Sequence, residues 1–453
     1  MVIRRWVAGF ALLLCASAQA APLRAAAAKV DITPAGAEVL WGFEDRTTPA
    51  TGTIDPLYAR VLVLEAGSQR LALVTLDLGR SFGPGSLDQI REATRKSSGI
   101  TCLLMAASHT HGAPVVQDVY RNGVPAWEKA AIEKIEAAIE TAAHHLEETR
   151  IGAGTGSVYI GHNRLRVNAD GTVSWFERNT TQIPTAPVDP TVTVLRVDRM
   201  DGSPLAVVVN YACHPVVFGS DNLRYTADFP AVTNRVVEEA LGAGAISFFL
   251  QGGSGDINPF HAVTPVAQDA VGKREWTGRR LGAEAARVAK DLHTSGSSTA
   301  SIDFIEETPV LRLRWNLQQF RAAVLKFLGP QGAEIYGAPE REDFSVRTAT
   351  VLINKQIAIA TFPGEPFVEF QVNWRDRCPV RTALLAGYTN GYYGYFPTIR
   401  AAAGGGYGAA SAATWAEPGA GESFVDRAVV NVDKMLGRLS DLPDDLKGNV
   451  YQP

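Results

Sequence analysis

Three histidines at two places in the chain have the type and spacing to hold one metal ion. Ser108-His109-Thr110-His111-Gly112 follows directly on the apolar run Cys102 to Ala106. A spacing of two in an extended segment points both imidazoles to the same side, within reach of one ion. Asn210-Tyr211-Ala212-Cys213-His214-Pro215 sets a third imidazole at the end of another apolar run. An isolated HxH pair reads equally well as two polar residues in a surface loop. Histidine occurs only eight times, however, and three of these stand just past predicted strand ends, where open α/β sheets build their sites. Three neutral nitrogens hold Zn2+ and leave one coordination position open. A zinc ion so held lowers the pKa of a bound water towards neutrality, and the resulting hydroxide can attack a carbonyl.

Of the other histidines, His144 and His145 lie near the end of an amphipathic helix, where a partly charged imidazole suits the helix dipole. His261 and His293 have no recognisable partners, and His162 stays unassigned between a supporting and a solvent-facing place. Gly252-Gly253-Ser254-Gly255-Asp256-Ile257-Asn258-Pro259 follows the run Ile246 to Leu250. Its glycines let the backbone approach a ligand and present N–H groups, as an oxyanion site requires, or make a tight turn. No GK[ST] follows, so it is not a phosphate loop.

The elements that must position these residues are short β-branched runs: Tyr58 to Leu64, Leu71 to Asp77, Thr101 to Ala106, Thr191 to Val197, Leu205 to Tyr211 and Ile246 to Leu250. Near-continuous apolar runs suit strands covered on both faces. Ile132, Ile135, Ile139, Ala142 and Leu146 share one helix face, and a second amphipathic helix is expected from about Trp276 to Leu292. Further on, the sequence predicts a helix over Leu317 to Phe327 in a less regular segment, strands at Val346 to Leu352 and Ile357 to Phe362, and a closing helix from about Phe424 to Leu439. Strands alternating with helices argue for an α/β fold. No linker long enough to separate two domains is visible, so residues 21–453 are expected to form a single catalytic domain.

Together these segments resemble the neutral ceramidases. Lys29-Val30-Asp31-Ile32-Thr33-Pro34, Trp41-Gly42-Phe43, Leu57-Tyr58-Ala59-Arg60-Val61, the His-Thr-His triplet, Asn163-Arg164, Asn210 to Pro215 and Gly255-Asp256 to Pro259 stand in that family's order, from about residue 28 to 440. The resemblance implies a large α/β domain with mixed sheets flanked by helices and a metal cleft at strand ends. It implies one zinc ion held by His109, His111 and His214 with a glutamate and a tyrosine. The glutamate is expected to be Glu365 in Phe362-Pro363-Gly364-Glu365, with Glu369 as its rival. The tyrosine is expected to be Tyr395 in Asn390-Gly391-Tyr392-Tyr393-Gly394-Tyr395, where Tyr392 also stands. Arg164 is expected in the catalytic pocket as a fixed donor, Tyr407 as the tyrosine that helps hold the reacting carbonyl, and Asp256 as the residue that orients the loop or accepts a proton. The implied reaction is hydrolysis of an amide in a small-molecule or lipid substrate such as ceramide.

The sequence departs from the family twice. Asn258 stands where characterised ceramidases carry a serine; an amide cannot serve as an ordinary nucleophile but can donate to an oxyanion. Zinc-activated water needs no such serine. Ser254, four residues earlier, would replace that hydroxyl only after rearrangement of the loop. Only a short stretch follows the last expected helix, so the immunoglobulin-like domain that many neutral ceramidases add is not expected in this sequence.

Bulk properties agree with a globular enzyme. The 453 residues are 46% hydrophobic and 8% aromatic, with a net charge of −4, which leaves no basic excess for nucleic acid. Arg4 and Arg5, the apolar stretch Val7 to Cys15 and Ala18-Gln19-Ala20 read as a cleaved signal peptide, residues 1–20, hence a secreted or periplasmic protein. Leu14 before Cys15 argues against lipid attachment. No later run is long enough to span a bilayer, so any membrane contact is peripheral. The cysteines beyond the leader, Cys102, Cys213 and Cys378, allow at most one disulfide.

Overall fold

The computed structural model describes residues 21–439, apart from 45, 243 and 337–339. The leader expected over 1–20 lies outside these described residues. The six β-branched runs of the first two thirds are strands, with small shifts at their ends: Tyr58–Ala66, Gln69–Leu76, Cys102–Ala107, Thr191–Arg199, Pro204–Tyr211 and Ile246–Gln251. With Arg24–Asp31 and Glu147–Ser157 they build an eight-stranded sheet. Its order is Ile246–Gln251, Pro204–Tyr211, Thr191–Arg199, Glu147–Ser157, Arg24–Asp31, Tyr58–Ala66, Gln69–Leu76, Cys102–Ala107. The outermost pair at each edge is parallel and the pairs between are antiparallel.

Both faces of this sheet are covered, which is why its strands read as unbroken apolar runs. Val61 and Val63 point into one core and Leu62 and Leu64 into another, as the two-residue repeat of a strand demands. On the outer face lie Pro84–Ser98 and Ala126–His144 over one half, and Phe229–Leu241 and Ala270–Asp291 over the other. On the inner face packs a second sheet in the order Ile302–Glu307, Thr348–Ile353, Ile357–Thr361, Thr382–Ala386. Helices Val368–Arg377 and Ala420–Met435 close its far side through Phe370, Trp374, Phe424 and Val425. The mixed α/β architecture expected from the sequence is therefore the one observed. The helix Pro84–Ser98 escapes periodicity analysis because more than half of its buried stripe is polar: Ser86, Thr94 and Ser98 accompany only Leu87 and Ile90.

Two connections bring distant sheet edges together. Gln251, ending one edge strand, donates its side-chain amide to Ser108 O and Cys213 O, each at 2.9 Å, so the segments carrying His109 and His214 hang from one side chain. The other edge strand is met by residues 388–390. Asn390 accepts from Met105 N–H at 2.9 Å and donates to Leu103 O at 3.0 Å, and Ala107 N–H donates to Tyr388 O at 3.2 Å. Between the strands of the second sheet, the helix Leu317–Tyr336 starts at Asn316, whose side chain accepts from Gln319 N–H at 3.0 Å. It runs past the expected end at Phe327 and breaks at Gly329, where φ is +69°.

Candidate functional site

His109, His111 and His214 meet. One ligand nitrogen of each lies within 4.8 Å of the others. The ring centroids of His109 stand 5.0 Å from His111 and 4.9 Å from His214. The path differs from expectation, because the His-x-His segment is a turn and not an extended strand. Ser108 N–H still donates to Leu76 O at the end of the neighbouring strand, at 2.8 Å, and His109 N–H to Leu78 O just past it, at 2.9 Å. His109 then takes φ +69°, a conformation that costs a β-carbon residue about 1 kcal/mol or more and that clusters at functional sites. The turn sets the two imidazoles almost perpendicular, at 87°.

The backbone fixes which nitrogens face inward. His109 Nδ1 sits on Gly79 O and His214 Nδ1 on Ser254 O; donation to a carbonyl places each proton on Nδ1 and leaves the Nε2 lone pair free. His111 Nε2 lies 3.4 Å from His109 Nε2, a meeting of nitrogens that a proton or a cation must bridge. Glu365 supplies the anionic donor, its Oε2 lying 3.0 Å from His214 Nε2 and 3.3 Å from His109 Nε2. Burial drives His214 down to about 3 and His111 well below its usual value, so both imidazoles are neutral at physiological pH, as metal ligands must be. Burial pushes the Glu365 carboxyl up, but the two imidazoles outweigh it and hold the group well below the carboxylate range. Three imidazole nitrogens and one carboxylate oxygen, buried and converging, fit a divalent metal ion.

Tyrosines surround the carboxylate. Tyr392 donates its hydroxyl to Glu365 Oε1 at 2.5 Å, and Tyr388 approaches Oε2 at 3.3 Å while its ring stacks on His109 at 4.2 Å. Tyr388 was not foreseen; an aromatic residue at φ +53° carries no local sequence signal. Tyr395 is the ladder partner of Glu365 in the parallel pair Glu365–Pro366 and Tyr395–Phe396, so both side chains leave the same face. Its hydroxyl accepts from Arg164 Nη2 at 2.9 Å. Tyr392→Phe is expected to leave the fold intact but weaken metal binding about ten- to hundredfold by freeing one ligand oxygen, read by competition with a chromophoric chelator.

Arg164 is buried, with no carboxylate salt bridge among the described residues. It donates to Gly255 O at 2.7 Å, to Asn258 Oδ1 at 3.2 Å and to Tyr395, and its guanidinium lies 4.9 Å from the Trp175 ring and 5.7 Å from that of Tyr407. Tyr407 lies 44% exposed. His109, His111, Glu365, Tyr392, Tyr395 and Tyr407 line a cavity of about 420 Å³, with Trp41, Gly42, Glu44 and an apolar wall that includes Val324, Leu328 and Trp415. Glu365, Tyr395 and Tyr407 are among its lining residues; Arg164, Asp256, Asn258 and Glu369 are not. Glu369 lies in the helix Val368–Arg377, where Thr398 donates to it at 3.4 Å.

The glycine loop is not an oxyanion site. Its N–H groups are spent internally: Gly252 on Tyr211 O, Gly253 on Gln371 Oε1, Ser254 on Gly252 O and Gly255 on Pro366 O, at 2.8 to 3.0 Å. The glycines serve close packing, since a β-carbon on Gly255 would stand 2.6 Å from Glu365 O. Ser254 points to the Tyr388 hydroxyl at 2.9 Å. Asn258 spends its amide on Arg164 and on Glu177 O, the latter at 3.0 Å. Asp256 accepts from Val368 N–H at 2.8 Å and from Asn163 Nδ2 at 2.6 Å, which makes it the loop's brace. His162 is buried against Phe176 and Phe260, and His144 and His145 are exposed, each bonding the carbonyl four residues back.

Burial pushes the Asp256 carboxyl up to about 7, against the donors that oppose it. Between an unfolded value of about 3.9 and 7 the native state keeps a proton that the unfolded chain has released. Its contribution to stability is therefore full below about pH 4 and lost as pH rises through 7. Urea unfolding of wild type and Asp256→Asn across pH 5 to 8 should show wild type losing stability relative to the variant as pH rises; parallel curves would contradict the assignment.

No curated protein sequence matches the chain. Solved structures share its fold, ceramidases among them. The neutral ceramidase from Pseudomonas aeruginosa superposes with a TM-score of 0.71 at 18% identity, over 94% of this chain and 77% of that one. A ceramidase complexed with C2 gives 0.70 at the same identity and coverage. The family model for the N-terminal part of neutral/alkaline non-lysosomal ceramidases matches residues 24–274, which includes the whole of both histidine segments and the glycine loop. That match spans more than half of the sequence, and the chain belongs to the neutral/alkaline non-lysosomal ceramidase family.

Proposed function

We propose that this protein is an exported, zinc-dependent amidohydrolase that cleaves the amide bond of an N-acyl lipid such as ceramide. The observation that carries the reading is the meeting of three imidazole nitrogens with the Glu365 carboxylate beside a largely apolar cavity. The family and the two ceramidase structures support the substrate class. The leader sequence supports export to the periplasm or beyond, and among the described residues no helix is long and apolar enough to cross a membrane.

His109, His111, His214 and Glu365 would hold the ion, with Tyr395 as the fifth ligand. Zn2+ bound there supplies a Lewis acid that polarises a carbonyl and acidifies water. The chain's own groups do the rest. The Gly79 and Ser254 carbonyls lock two imidazoles in the ligating tautomer, and Tyr392 steers the carboxylate. Arg164 donates to the Tyr395 oxygen and so fixes where that hydroxyl stands. Tyr407, in the cavity wall, donates to the substrate carbonyl oxygen. Asn258 fixes Arg164 and brings no nucleophile, so the acyl group passes to water.

Metal analysis with a substrate panel tests this. The purified protein should hold one zinc ion per chain, lose hydrolysis of N-acyl lipids on chelation and regain it with zinc. Varying acyl length and head group separates a lipid amidase from a hydrolase of small non-lipid amides. Full turnover without metal, or a zinc-loaded protein that cleaves no amide or ester, would show the reading to be wrong, the second result marking a binding protein on a hydrolase fold.

A further inference from the structure

The cavity has two kinds of lining. The polar part is His109, His111 and Glu365 with Tyr392, Tyr395 and Tyr407; much of the apolar part comes from one element, the helix Leu317–Tyr336, and the segment around Trp415. We propose that Ala323, Val324 and Leu328 on this helix, with Trp415, form the subsite that takes the apolar chain of the substrate and sets the chain length accepted. The inference rests on the amidohydrolase reading above and adds the part of the molecule that measures the acyl group.

Three observations support it. Phe320, Val324 and Trp415 form a small cluster of their own, separate from the large cores that hold the sheets together, so the helix is dispensable for joining the sheets and free to shape the cavity. Its entry is fastened to the loop that carries Tyr407. Arg314 donates to Ala409 O at 2.6 Å and to Ala402 O at 3.0 Å, and Trp315 Nε1 donates to Thr414 O at 2.6 Å. The chain wall and the tyrosine assigned to the carbonyl are thereby held in register. Leu328 is followed at once by the break at Gly329, which sets where this straight stretch of the wall turns. At about 420 Å³ the cavity is large enough for a small-molecule ligand beyond the metal's own coordination shell.

A homologous series of N-acyl compounds on one amine, from two to sixteen carbons, tests the length limit. Each buried methylene is worth about 0.8 kcal/mol, or about fourfold in kcat/KM, until the wall is reached and the gain stops. Val324→Trp should lower kcat/KM for the long chains at least about tenfold more than for the acetyl compound, and Leu328→Ala should move the levelling-off to longer chains. An equal loss at all chain lengths in Val324→Trp, with no shift in Leu328→Ala, would overturn the proposal. A second measurement does not depend on turnover: a nitroxide-labelled stearate should quench Trp415 fluorescence in the metal-loaded protein, and Trp415→Phe should remove the quenched component. Quenching that persists unchanged in Trp415→Phe, or no quenching at all, would also overturn it. If wild type cleaves no N-acyl compound yet Trp415 is quenched, the functional reading fails while the apolar subsite stands.

Discussion

His111→Ala is expected to remove metal retention and turnover together. Of the three clustered histidines, His111 has the least support from its surroundings: among the described residues its Nδ1 has no hydrogen-bond partner, whereas His109 and His214 are each held by a carbonyl. Its Nε2 nevertheless faces that of His109 at 3.4 Å, so deletion leaves two nitrogens and a carboxylate where three nitrogens converged. Loss of a direct ligand should exceed the ten- to hundredfold typical of groups that merely orient one. Zinc content after gel filtration and kcat/KM on the best N-acyl substrate should fall in parallel. Because the ring lines the cavity and supports no core packing, the circular dichroism spectrum should remain that of wild type. A variant that keeps full activity with no bound metal would separate the histidines from the chemistry.

Gly42→Ala should be nearly as damaging although Gly42 carries no functional group. At φ +102° and with a β-carbon 2.2 Å from Cγ and Nδ1 of His111, alanine must expel the imidazole or shift its own loop. Neither moves freely: Trp41 N–H donates to Ala113 O at 2.8 Å, and Arg46 donates to both the Trp41 and His111 carbonyls. Overpacking of this kind costs about 1–3 kcal/mol, and the displaced ring takes the metal site with it. Gly67→Ala is the control, since that glycine also has positive φ but has nothing within 4 Å of the added carbon. Activity should collapse in the first variant and persist in the second. Stoichiometric zinc and normal turnover in Gly42→Ala would mean that the ring does not rest on Gly42 in the working protein.

What the sequence determined by itself is what local chemistry encodes. Six strands are legible because burial on both faces makes them continuously apolar, and the three histidines are legible because imidazole is rare here and stands at strand ends. Glu365 and Tyr395 come from a family resemblance, and their pairing across a two-residue ladder supports that assignment. Only the tertiary structure decided the rest. It chose Glu365 over Glu369 for the cluster, turned the glycine loop from a source of N–H donors into a packing device, and made Asn258 and Asp256 braces instead of cavity groups. It also brought in Tyr388, Gly42 and Gln251, and walled the cavity with the helix Leu317–Tyr336. The reason is physical: a residue's type and spacing set what it can bind, but whether its donors and acceptors are already spent depends on partners a hundred or more positions away, which meet it only when the sheets close.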